Sequence, residues 1–214
     1  MMFSSDSFAN LYLMAALINL VAALMNWFRY PVSKEIRRLS IILFLTTLWL
    51  MGGYIECAFA QISLEARFWI ILLENTISGL MILLLFFFVL DHFHLWPWFT
   101  GAWRKSLWGL LFFHIALGWT NPLHHLIWTA ETNPVPGTNI VLFEHGPLFW
   151  FSNAFGITII LLTLSLLSYK VIGMKKGARR EVLLQALALA YPFLSYLTFV
   201  LLPDPVLGIA LMPF

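Results

Sequence analysis

Long blocks of Leu, Ile, Phe, Ala and Trp, broken by short polar stretches, set the plan of this chain. An α-helix needs about 20 mostly apolar residues to cross roughly 30 Å of hydrocarbon. Six blocks meet or approach that length: 8–28, 39–61, 68–90, 106–119, 148–169 and 182–202. The fourth is short and is expected to extend into its flanks. The pattern predicts an all-α, polytopic integral membrane bundle forming a single domain over 1–214. The tail 203–214 is apolar and has no basic stop, so it reads as the possible start of a seventh span.

Composition agrees. Sixty-one per cent of the residues are hydrophobic and ten per cent are charged, against about 25% charged in soluble domains. The placement of the basic residues adds orientation. Eleven of the twelve Lys and Arg fall at 29–38, 104–105 and 170–180; only Arg67 lies elsewhere. Short Lys/Arg-rich loops stay in the cytoplasm, so all three clusters belong inside and the N-terminus outside. The Lys/Arg-free loop from 120 to 147 then faces outward. The opening residues lack a positive n-region and a cleavage site, so the first block is expected to stay as an anchor. The lone Cys57 excludes an intramolecular disulfide.

Ionisable side chains within spans are costly and are functional candidates. Glu56 and Glu74 lie a few residues from the loop joining the second and third spans, so antiparallel neighbours would hold them at similar depth. At 1.5 Å per residue that is roughly 10 Å below the outer boundary. His114 also falls in the outer half. With Tyr54 and Asn75 these residues predict a polar cavity open to the exterior, where the two carboxylates could share a proton or hold a cation. Plain interhelical hydrogen bonding is the alternative. Asn10, Asn19 and Asn26 are expected to serve helix packing, and Pro192 is a candidate hinge in the sixth span.

The outer loop carries Asn121, His124, His125, Trp128, Glu144 and His145. Its Pro, Gly, Asn and aromatic content suggests a compact lid over the helix ends. Imidazole and carboxylate suit zinc or copper, but the spacing matches no metal signature. No metal is therefore assigned, with His124, His145 and Glu144 as weak candidates only. Glycine-rich phosphate loops, G-x-S-x-G and zinc-protease pairs are missing, so no enzyme activity and no cofactor is expected. No Lys within the six spans could form a retinal Schiff base, and only His114 is placed to ligate haem.

Three segments carry a family resemblance: TNPLHHLIW at 120–128 with Gly146, Phe149 and Trp150; Tyr54-Ile55-Glu56; and ARREVLLQALALAYPF at 178–193. The chain resembles the seven-transmembrane N-terminal sensor region of prokaryotic histidine kinases, also found ahead of diguanylate cyclases. That resemblance implies seven spans, an output domain in the cytoplasm, and importance in the sensor fold for Glu56, Asn121, His124, His125 and Trp128. On it, this chain is either a piece of a longer receptor or a short relative without output.

The expected function is a sensory input module of a signalling receptor in the cytoplasmic membrane of a prokaryote. Its expected partners are the lipid bilayer and a small-molecule or ion signal, with a homodimer or other membrane subunits possible and no nucleic acid. The rival readings are a non-catalytic subunit or assembly factor of a membrane complex, and a small-solute or proton transporter.

Overall fold

The computed structural model describes residues 5–28, 33–59, 61–95, 101–134, 141–172, 174 and 179. In chain order they form α1 (Ser5–Phe28), α2 (Lys34–Ala58), α3 (Leu64–His92), α4 (Ala102–Trp119), the single turn α5 (Asn121–His124), β1 (Trp128–Pro134), β2 (Val141–His145) and α6 (Phe149–Ile172). Four helices, α1, α2, α3 and α6, are long and apolar enough to cross a membrane. The eighteen residues of α4 reach only about 27 Å, so it is the shortest of the long helices. The predicted sixth span, Pro192 and the tail lie outside the described residues.

Helices α2 and α3 start where a serine in the polar flank supplies a cap. The Ser33 hydroxyl accepts from the Ile36 amide at 3.2 Å, and Ser63 does the same for Ala66, which satisfies amides that have no intrahelical partner. Within the helices, hydroxyls bond back to carbonyls four residues earlier: Thr46 to Ile42, Thr76 to Leu72, Thr163 to Ile159. Hydrocarbon offers them no other acceptor. The Asn19 amide likewise donates to Ala15 of its own helix at 2.9 Å, rather than across a helix interface.

The α1–α2 contact is the most extensive of the bundle. Ala9, Ala16 and Ala23 are buried at seven-residue intervals along one face of α1, and small residues let two backbones approach closely. Tyr12 is a large side chain buried on that face. It fits because α2 carries Gly53 opposite, where an added Cβ would come within 2.7 Å of the phenol ring. Helix α3 runs through the middle, touching α2 on one side and α4 and α6 on the other. Leu83, Phe86, Phe87 and Leu90 pack there against Leu111, Ile159 and Leu166. Large apolar side chains such as Ile18, Met25 and Phe112 stay uncovered, as hydrocarbon contact requires.

The two ends of the bundle differ chemically. At one end Asp91 of α3 receives Arg38 from α2 and Arg104 from α4, and the Lys170 ammonium reaches the Phe93 carbonyl at 3.4 Å. Three basic clusters far apart in sequence thus meet around the end of a single helix. The opposite end is covered by β1 and β2, an antiparallel pair with Trp128 opposite His145 and an irregular register between Trp128 and Thr132. Sequence analysis expected a lid in this place but no strands. The chain uses aromatic and β-branched residues there, Trp128, Thr132, Val141 and Phe143, which favour a pleated surface.

Candidate functional site

Helix α3 divides the predicted polar residues into two groups, because successive residues of a helix point about 100° apart. Glu74 faces α2, where a Cβ on Gly52 would strike its carboxylate. Gly52 lies one turn from Glu56 on α2, so Glu74 sits against the same stretch of that helix. The two carboxylates are within electrostatic reach of one another, and both lie within reach of Tyr12 from α1. Cys57 is buried beside them.

Arg67 completes this group. It is only 4% exposed, and its guanidinium donates to the Phe59 carbonyl at 3.2 Å and the Glu56 carbonyl at 3.4 Å. Those carbonyls close α2, where a cation complements the helix dipole. The same guanidinium lies within electrostatic reach of the Glu56 carboxylate. Neither Arg67 nor Tyr12 belongs to the site that the sequence pattern predicts. A signal for Arg67 was present, since it is the single basic residue outside the three clusters.

On the other side of α3, Asn75 meets His114. The imidazole is 8% exposed; its Nε2 lies 3.2 Å from Asn75 Nδ2 and its Nδ1 lies 3.0 Å from Ser152 Oγ. Both ring nitrogens are committed, so His114 ties α3, α4 and α6 together instead of joining the carboxylates. Trp119 Nε1 donates to Thr76 Oγ1 at 2.9 Å on the same side. Tyr54 packs edge-on against Phe59 near the end of α2.

The loop motif forms a knot at the base of the hairpin. Asn121 is fully buried. Its Oδ1 accepts from the Ile127 amide at 2.8 Å and the Trp128 amide at 3.2 Å, and its Nδ2 donates to the Trp128 carbonyl at 2.9 Å. His125 takes the left-handed conformation, φ 52°, that ends α5. The Leu126 amide donates to His124 Nδ1 at 3.0 Å, and His124 Nε2 lies 3.2 Å from Thr120 Oγ1. Gly146 closes the knot: its amide donates to the Ile127 carbonyl at 2.7 Å, and a Cβ there would strike the Leu126 carbonyl. From this base Trp128 and Phe143 pack on Phe68 and Leu72 of α3, while Leu142 lies on the α1–α2 core.

The weak metal candidates go elsewhere. Both nitrogens of His124 are occupied as above, Glu144 accepts from the Asn133 amide at 2.9 Å, and His145 stacks on Phe149 with centroids 3.5 Å apart. No group of three His, Cys, Asp or Glu among the described residues is arranged to hold a metal ion.

Partial burial on Phe149 pushes the His145 ring below the ordinary imidazole pKa. Above about pH 6.5 the ring is neutral in folded and unfolded chains alike, and burial carries no protonation penalty. As pH falls below that value the unfolded chain takes up its proton first, so hairpin docking weakens until the folded value is passed. Protection of 141–149 from hydrogen exchange, taken relative to the intrinsic rate at each pH, should therefore fall between neutral and mildly acid pH. A His145→Phe variant should lose that dependence, and one that keeps it would place the titration elsewhere.

Among the described residues, four helices long and apolar enough to cross a membrane, with polar side chains between them and a capping hairpin, define a polytopic membrane protein. The comparisons decide its family. Residues 11–214 match the family described as the N-terminal 7TM region of histidine kinase, and the chain belongs to that family. It is thus a multi-pass membrane region of the sensory input kind. No curated protein and no solved structure matches it.

Proposed function

We propose that this chain detects an extracytoplasmic or membrane-borne signal at the group formed by Tyr12, Glu56 and Glu74, and transmits it toward a kinase output. The basic end carrying Arg38, Arg104 and Lys170 is the cytoplasmic one by the positive-inside rule. The hairpin and the N-terminus then face outward, across the cytoplasmic membrane of a prokaryote. One observation carries the reading: two carboxylates and a phenol gather between α1, α2 and α3 in the half of the bundle nearest the hairpin. Charged groups within a bilayer are retained where they serve an ion, substrate or signal.

A guest there acts by binding one packing of α1, α2 and α3 better than another, since only differential affinity shifts a conformational equilibrium. The test fuses the chain to a kinase output region and reads reporter transcription over a panel of external pH and ionic conditions. Glu56→Gln and Glu74→Gln should each move the response midpoint by roughly tenfold, the cost of one charged hydrogen bond, with membrane insertion unchanged. Identical response curves for both variants and the parent would remove this group as the sensing site.

A further inference from the structure

The charges in this group do not balance, and the imbalance selects the kind of guest. Arg67 serves the Glu56 end: it caps the carbonyls of Glu56 and Phe59 and lies within reach of the Glu56 carboxylate. Among the described residues Glu74 has no such cation and accepts no hydrogen bond; its electrostatic neighbour is a second carboxylate, Glu56. Tyr12 is 6% exposed, and among the described residues its hydroxyl also makes no hydrogen bond. Every sealed polar side-chain atom among those residues has a partner. The Glu74 oxygens and the Tyr12 hydroxyl are therefore not fully enclosed, and Gly52 and Gly53, adjacent on α2, receive the two side chains.

We infer that the meeting of Tyr12 and Glu74 at the Gly52–Gly53 stretch of α2 takes one positive charge, a proton or a small monovalent cation, which neutralises Glu74. This rests on the sensing role proposed above and narrows it to a ligand class. Among the described residues, the titratable or charged groups at this place are Tyr12 from α1, Glu56 and Cys57 from α2, and Glu74 itself from α3. Arg67 acts through Glu56. His114 is committed on the opposite side of α3. A divalent ion fits poorly, because such ions collect several oxygen ligands, and among the described residues no trio of candidate ligands converges. An anion is repelled by both carboxylates.

The test uses the whole chain in lipid nanodiscs and follows its thermal unfolding midpoint. One arm varies pH with choline chloride as the only salt. The other varies sodium, potassium or ammonium chloride at fixed pH, with choline making up the ionic strength. A ligand that binds only the folded form raises the midpoint. The wild type should respond in at least one arm, which identifies the source of the charge. Glu74→Gln should lose roughly tenfold to a hundredfold in apparent affinity, or respond in neither arm, as expected when a charged hydrogen-bond partner is removed. Tyr12→Phe should weaken the response, and Glu56→Gln should shift its midpoint less than Glu74→Gln does while leaving a titration in the same arm.

A flat wild type in both arms overturns the inference, as does a Glu74→Gln protein that titrates like the wild type. If Glu74→Gln does not fold, Glu74→Asp and the infrared carbonyl band of a protonated carboxyl in wild type replace it, and the absence of any wild-type change across both arms has the same overturning force. A clear titration combined with unchanged signalling in the fusion would overturn the sensing role while leaving the charge site standing.

Discussion

Arg67→Met should produce one of the two largest stability losses among single substitutions in the described residues. Methionine keeps much of the apolar stem, so the loss isolates the guanidinium. Two carbonyls at the end of α2 then lose their charged donor, and such hydrogen bonds contribute about 1.5–3 kcal/mol each. The Glu56 carboxylate also loses its compensating charge in a poorly solvated place. The unfolding midpoint in nanodiscs should fall clearly. Arg67→Lys should fall between the two, since an ammonium retains the charge but not the planar fork that reaches two carbonyls.

A double-mutant cycle separates the two roles of Arg67. If it serves only as a cap, Glu56→Gln should cost the same in the wild-type and Arg67→Met backgrounds. If it also balances Glu56, removing the carboxylate should recover part of the Arg67→Met loss, giving a coupling of about 0.5–3 kcal/mol, the range for neighbouring residues. The structure favours the second outcome, because the guanidinium reaches the Glu56 carbonyl and the carboxylate's field together. Additive costs would show that the carboxylate is balanced by something other than Arg67.

The helical plan was legible in the sequence because a hydrocarbon environment constrains it so tightly. Five predicted blocks correspond to described helices, and the basic clusters meet at one end as the charge pattern implied. The number of spans was less secure: four described helices satisfy length and apolarity, and the predicted sixth lies outside the described residues. Glu56, Glu74, Asn75 and His114 stand out in the sequence as polar residues within apolar blocks, but their arrangement does not. Glu74 and Asn75 are adjacent in sequence, and only the helix rotation sends one toward α2 and the other toward His114. Tyr12 gave no signal as a lone aromatic among apolar residues. Its place follows from Gly53 opposite it, a contact between helices that no local pattern encodes.

Asn121→Ala should be the other large loss, confined to the hairpin end. The side chain satisfies three buried backbone groups, the amides of Ile127 and Trp128 and the carbonyl of Trp128. Alanine leaves all three unpartnered, and each orphaned buried group costs about 1–3 kcal/mol. That sum rivals the lower range of total stability, roughly 5 kcal/mol, so the knot should open locally rather than persist under strain. Hydrogen exchange across 121–148 should accelerate strongly, with α3 and α6 nearer the basic end protected as before. Asn121→Asp preserves the two accepting contacts and gives up the donation to Trp128, so its exchange should lie closer to wild type. Unchanged protection in Asn121→Ala would mean that Gly146 and the packing of Trp128 hold the hairpin without the asparagine. Such a result would also weaken the assignment of the Thr-Asn-Pro-Leu-His-His segment as structural, since its buried side chain would then be free to serve a guest. With the expected result, that segment builds the cover, and the chemistry of sensing belongs to the carboxylates beneath it.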